Sequence, residues 1–392
     1  MNPSIEIRTI QTEKELEQAL DLWEQVFPEN RQFFEKRLKL EPQYNKQTTW
    51  IAKVDGELAA SVQLFPYYTY LEQTLVKVGG IGNVATLPAF RGLGLTHTIL
   101  NRQTEWMKQN GFDLSLLSTD INPFYEKVGW HTFPETPLRL KEIPRIPSTS
   151  YTVKEFSVQD FEAVKSLYNN FSLNLVGPRV RTSSYWQRLR KELLQRSKEI
   201  LLVKDGKETV AYLIYNGDKV VNLEECVYQA GDEEAILALL GDIKARKHNI
   251  ESICFNGACS HALYKLLLGW KAEKTQITTN MWKINDKKSL LLKLRDVFTQ
   301  RMARYGAHIG ENHTIFLQCG EMDLLIKNYD GIVDIGQPSH DIYYNEQVKC
   351  SEAELIKWLL NGGAAKEIEA KSHLFQALFG NSHYQFWSMD SF

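Results

Sequence analysis

Two stretches of this chain carry residues arranged for chemistry. The first is Val84-Ala85-Thr86-Leu87-Pro88-Ala89-Phe90-Arg91-Gly92-Leu93-Gly94-Leu95-Thr96, a strand running into a glycine-spaced turn that opens a helix. Consecutive main-chain amides at such a helix start point outward and carry partial positive charge, so they hold a phosphate without lysine. Arg91 adds a fixed charge beside the amides of Gly92, Leu93, Gly94, Leu95 and Thr96. The second stretch is Asn122-Pro123-Phe124-Tyr125-Glu126-Lys127-Val128-Gly129-Trp130. Asn122 reads as a cap and Pro123 as the first helical residue, which puts Tyr125 in the first turn of a short helix. A phenol titrates near about 10, so it yields its proton only to a base formed during a reaction, such as a departing thiolate. A diphosphate grip followed by a phenol suits transfer of an acyl group from a coenzyme A thioester.

Both stretches also have a purely structural reading. The turn can use its glycines for geometry alone, and Tyr125 can pack against Trp130. NAD and ATP fit poorly. Gly92-Leu93-Gly94 is followed by no third glycine at Thr96 or His97, and no Gly-Lys-Ser/Thr is present in the turn. Cys254, Cys259 and His261 lie close together, but their spacing matches no zinc pattern, so no metal is expected.

The elements that must position these groups follow from periodicity. Thr12 and Glu15 form a capping box ahead of a helix carrying Leu16, Leu20, Trp23 and Phe27. Strands over 49–54 and 58–64 flank the hairpin signal Asp55-Gly56, and a third strand spans 78–87. A helix over 93–109 stops at Asn110-Gly111, and 112–118 reads as a buried strand. Pro134, Pro137, Pro144 and Pro147 then mark a boundary, so 1–150 forms one α/β unit. A second unit, 151–283, loosely repeats the order without a glycine-spaced turn before its helix at 233–245. A third, 284–392, has a helix over 288–305, three strands, a helix capped by Ser351 and Glu354, an apolar helix over 366–379 and an aromatic tail ending at Phe392.

The arrangement resembles the GNAT acetyltransferase superfamily, whose pattern is Arg/Gln-x-x-Gly-x-Gly/Ala after a strand and then a tyrosine helix ending Gly-Phe/Trp. Arg91, Gly94 and Thr96 occupy the first pattern, with threonine as the final residue; Tyr125, Gly129 and Trp130 occupy the second. With a degenerate second unit and a tail closing Asp390-Ser391-Phe392, nearly the whole chain is similar to the Eis-type (enhanced intracellular survival) acetyltransferases. The resemblance implies an α/β (α+β) chain of tandem GNAT folds followed by a small sterol-carrier-like domain. It implies acetyl-CoA as donor, a primary amine of the aminoglycoside, lysine or polyamine kind as acceptor, and a hexamer. Val84, Ala85 and Thr86 match the strand facing the pantetheine arm, and Asn122 joins Arg91 to Thr96 among the cofactor-binding residues. Tyr125 matches the general acid and the terminal carboxylate of Phe392 the base. An unperturbed carboxylate is a weak proton acceptor, so burial among Phe386, Trp387 and Phe392 has to raise its pKa; otherwise it only orients the ammonium.

A cationic acceptor calls for carboxylates and aromatic faces at its entry. Phe27, Glu29, Phe33, Phe34, Asp120 and Asp390 are the candidates by location. Composition excludes other classes. With 43% hydrophobic and 24% charged residues and a net charge of −2, the chain offers no concentrated basic surface for nucleic acid. The basic stretch from Arg179 to Lys198 is interrupted by Glu192 and closed by Glu199, and reads as a solvated or subunit-facing helix rather than an RNA site. No apolar run reaches the roughly 18 residues of a membrane span, and five scattered cysteines suit a cytoplasmic setting. The competing reading is a non-catalytic protein that binds coenzyme A or another small ligand.

Overall fold

The computed structural model describes residues 3–196, 199–305, 312–338 and 343–392; Lys198, the last of the basic stretch, lies outside them. The chain opens with β1 (Ile5–Thr9) and two helices, α1 (Glu13–Val26) and α2 (Arg31–Leu40). Thr12 caps α1 by accepting the Glu15 amide at 3.2 Å. The expected reciprocal bond gives way to stronger partners: the Glu15 carboxylate accepts from the Gln11 amide, Arg8 and Lys53. Sequence periodicity did not signal α2. Asn30 starts it by accepting the Phe33 amide at 3.1 Å.

Next come β2 (Thr49–Val54), β3 (Glu57–Leu71) and β4 (Thr74–Thr86), an antiparallel meander. Asp55 and Gly56 take φ of 50° and 87°, the positive pair a tight hairpin requires. A helix, α3 (Leu95–Gln109), then crosses to β5 (Leu114–Ser118), which pairs parallel to β4; the short α4 (Asn122–Glu126) follows. The sheet continues past β5 through Asn280–Ile284 to His131–Thr132, while Val176–Arg179 pairs on β3.

A second sheet repeats the plan. Ile200–Asp205, Glu208–Asn216 and Val220–Tyr228 form a meander, and helix Ala235–Arg246 crosses to the parallel strand Ser252–Phe255. Its order runs on through Leu138–Leu140, a strand from within the proline-rich stretch, while the first sheet takes Asn280–Ile284 from beyond that stretch. The fold is mixed α/β. A third, four-stranded sheet contains Ile332–Gly336, Met322–Tyr329, His313–Cys319 and Glu346–Cys350. The helix expected over 288–305 is two, Lys287–Lys293 and Arg295–Tyr305, and the span 366–379 begins as a 3₁₀ turn before helix His373–Phe379. Among the described residues no helix is long and apolar enough to cross a membrane.

The tail ties these parts together. Gln385 donates its amide to the Val176 carbonyl at 2.8 Å, and Trp387 is fully buried in the core of the second sheet. Phe392 then returns to the first sheet, its ring centroid 5.6 Å from that of Phe65 and 5.7 Å from that of Tyr67.

Candidate active site

The site begins with an irregularity in β4. Ala85 pairs with Ser61 and Gly82 with Gln63, so Asn83 and Val84 together face Val62, and Asn83 takes a φ of 48°. One extra residue on a strand bends it and re-aims its side chains. Pairing between β4 and β5 ends at Ile81 and Leu117. Beyond that point the two strands part, and the edge of β4 from Gly82 to Thr86 has no β5 partner.

At the far end of this fork the chain turns into α3. Gly92 and Gly94 hold φ of 87° and 71°, and a Cβ on either would meet nothing within 4 Å. These glycines therefore serve backbone conformation, which a side chain would strain, rather than relieve crowding. No side chain caps α3, so its first amides lack an intrahelical acceptor. Arg91 is exposed, and its Nε lies 3.4 Å from the Thr86 carbonyl. Thr96, where the pattern has glycine or alanine, is buried, and its hydroxyl meets that of Thr86 at 2.7 Å. That bond pins strand to helix. Leu93 is exposed and Leu95 buried, so the turn presents backbone outward while its helix is anchored beneath.

α4 is fixed against α3 by His97, whose Nε2 lies 3.0 Å from the Phe124 carbonyl and whose ring sits 4.2 Å from that of Phe124. Tyr125 is buried beside Phe124 in the cluster that includes Ile81, Leu95 and Leu117. Burial pushes its phenol up to about 12. Asn122 is the first residue of α4 rather than its cap, and its amide donates at 2.8 Å to both the Thr132 hydroxyl and the Thr278 carbonyl. Lying inside the helix rather than before it, Asn122 does not cap α4, which has no side-chain cap, and it ties the helix start to neighbouring segments instead.

A cavity of about 400 Å³ opens in the fork, lined by Ile81, Gly82 and Asn83 of β4, Leu117 and Ser118 of β5, and Phe392. Phe27, Glu29, Phe33 and Phe34 also line it. Tyr125 does not; it lies in the α3 cluster, whereas Phe392 packs against the cluster of Phe34, Phe65 and Ala85. The rings of Tyr125 and Phe392 thus lie in different clusters around the first sheet. Trp387 is buried in the second core, whereas Phe386 and Phe392 line the cavity.

Two expected acceptor residues fall elsewhere. Asp120 is exposed and lies outside the cavity lining. Asp390 is fully buried, with Arg181 donating from Nε at 2.9 Å and from Nη2 at 3.0 Å. Arg181 also pairs with the buried Glu225, so Asp390 anchors the tail to the second sheet and has no face left for a substrate. Among the lining residues that sequence reasoning missed are Arg37 on α2, Asn83 at the bulge, Glu135 and Asn256. Only Asn83 had a local signal, since Gly79, Gly80 and Gly82 in one strand mark a bulge or a close approach. The others converge from distant segments.

Comparison with known proteins bears on the fold. Residues 6–133 match the family model described as an acetyltransferase (GNAT) domain. No curated protein matches the chain by sequence. Among solved structures, a conserved protein from Enterococcus faecalis V583 described as a probable N-acyltransferase superposes with a TM-score of 0.75 at 19% identity, covering 100% of both chains. A GCN5-related N-acetyltransferase from Anabaena variabilis gives 0.72 at 14% identity over 99% of this chain and 100% of that one. Eis1 from Mycobacterium abscessus gives 0.64 at 14% identity, again over 99% and 100%. At these identities the likeness is one of fold along the whole length. The chain is an acyltransferase in which residues 6–133 form an acetyltransferase domain of the GNAT type.

Proposed function

We propose that this protein transfers acetyl from acetyl-CoA directly to a primary amine of the aminoglycoside, lysine or polyamine kind. The observation that carries this reading is the fork between β4 and β5, with an uncapped helix start at one end and a polar cavity holding Phe392 within it. The coenzyme A diphosphate would rest on the amides of Gly92 to Thr96 beside Arg91, with the pantetheine arm along Val84, Ala85 and Thr86. Unpaired amides, positive-φ glycines and a freed strand edge suit that ligand. Asn122 would serve the arm only through its carbonyl oxygen, since its amide hydrogens are engaged.

The amine reaches the thioester carbonyl from the cavity. Its nitrogen forms the new C–N bond as the C–S bond breaks, and its proton passes to the Phe392 carboxylate. Tyr125 meets the leaving sulfur. A phenol near 12 facing a thiol near about 8.5 makes complete proton transfer uphill by roughly 4–5 kcal/mol. Tyr125 therefore works chiefly by a hydrogen bond that strengthens as negative charge gathers on sulfur.

We read the chain as a catalytic unit over 1–150, a degenerate unit over 151–283 and a sterol-carrier-like unit over 284–392. A cytoplasmic hexamer acting on small or lysine amines, with no nucleic acid or membrane partner, fits the resemblance; sedimentation tests the hexamer. Thiol release from acetyl-CoA over a panel of amines tests the activity. Acceptor-dependent release is expected, and its absence with every amine would leave only a binding protein.

A further inference from the structure

The cavity contains charges of both signs. Arg37 projects into it from α2, donating from Nη1 to the Asn83 side chain at 3.3 Å, and forms no ion pair among the described residues. Other arginines set into this core have carboxylate partners: Arg179 has Glu41, Arg181 has Asp390 and Glu225, and Arg301 has Glu72. Guanidinium groups withdrawn from water are normally paired, because the desolvation cost is otherwise uncompensated. Burial lowers the Arg37 guanidinium to about 10 against the opposing pull of the Glu41 and Glu29 carboxylates, neither of which forms an ion pair with it, and the group lies 4.8 Å from the centre of the Phe65 ring. Another wall contributes Glu135, whose carboxylate accepts from the side-chain amides of Asn256, at 2.8 Å, and Asn280, and forms no ion pair among the described residues. Burial pushes that carboxyl above its usual range. The third carboxylate of the lining, Glu224, is already held by Arg196.

A site made for polycations would place no unpaired guanidinium in its wall. We propose that the acceptor is an amine that also carries a carboxylate, an amino-acid-like molecule whose carboxylate binds Arg37 and whose ammonium binds Glu135. This rests on the acetyl-transfer reading of the same cavity and narrows its substrate class. The planar guanidinium fork matches a carboxylate in a two-point grip that lysine would not reproduce.

Lysine and cadaverine (1,5-diaminopentane) test it, because they share the same diamine chain and differ by one carboxylate. Thiol release from acetyl-CoA gives kcat/KM for each, and calorimetry on the coenzyme A-loaded protein gives each Kd. Lysine is expected to be favoured at least tenfold by either measure. In Arg37→Gln and Arg37→Lys the ratio should collapse towards one, whereas an arginine that merely props the bulge would leave it unmoved. A wild-type ratio at or below one overturns the proposal whatever the variants do. Thiol release with neither amine, together with tighter lysine binding, would sink acetyl transfer while upholding the bipolar site.

Discussion

The ring of Phe392 occupies the space a side chain on Gly80 would fill. A Cβ built on Gly80 would lie 2.6 Å from the Phe392 Cζ, well inside van der Waals contact. The last ring of the tail is thus seated on bare backbone of β4, one residue before the strand pairing with β5 ends at Ile81.

Gly80→Ala should therefore push the ring off the sheet and move the attached carboxylate. Displacement of about 1 Å at a reacting group can cost about 10²-fold. We expect kcat for amine acetylation to fall by about that factor while acetyl-CoA affinity is unchanged. Combined with Phe392→Ala, the glycine change should add little, because the obstructed ring is gone. Additive losses in that cycle would show that Gly80 acts by another route.

Tyr125→Phe should lower kcat by about 10²-fold and leave acetyl-CoA affinity intact. The pH profile gives a sharper check. The group must stay protonated to donate, and burial raises its pKa from 10 to about 12, so the protonated form persists through pH 10. No alkaline loss removable by Tyr125→Phe is expected below about pH 11; such a limb near 10 would show the phenol to be solvated.

Gly94→Ala places a Cβ on a residue at φ 71° without any clash. The left-handed backbone costs an alanine about 1–2 kcal/mol, and relaxation would turn the free amides of α3 away. Acetyl-CoA should bind about tenfold or more weakly by calorimetry, with turnover at saturation much less affected. Equal affinity in this variant would place the diphosphate elsewhere.

Asp390→Asn removes one carboxylate from the buried Arg181 while leaving Glu225 opposite it. Loss of about 3 kcal/mol is expected, the low end for a broken buried pair. A thermal melt should shift down, and kcat should fall because the loosened tail bears Phe392. A selective rise in acceptor KM at unchanged stability would instead put Asp390 in contact with substrate.

What could be read in advance follows distance along the chain. Asp55-Gly56, the Arg91 to Thr96 turn and the capped helix at Ser351 are decided by neighbours within a few residues, and each formed where expected. The α2 helix escaped notice because its apolar residues form no clean stripe; its cap, Asn30, is the only strong signal. Thr96 was read as a departure near the anion site, yet its hydroxyl is taken by Thr86 ten residues earlier. Arg37, Glu135 and Asn256 come from three separate segments, so their meeting depends on the assembled sheets. Asp390 shows the same limit in reverse. A carboxylate two residues from a reacting group looks like part of the site until a partner 209 positions away claims it.

Strand Asn280–Ile284 lies between β5 and His131–Thr132, and Leu138–Leu140 lies within the neighbouring sheet. A laboratory wishing to dissect this protein cannot cut at the prolines. The shorter piece would expose a raw hydrogen-bonding margin along Leu114–Ser118 and invite self-association. Supplying 280–284 as a separate peptide should rescue such a fragment, which makes the strand a natural point for split-protein reporters.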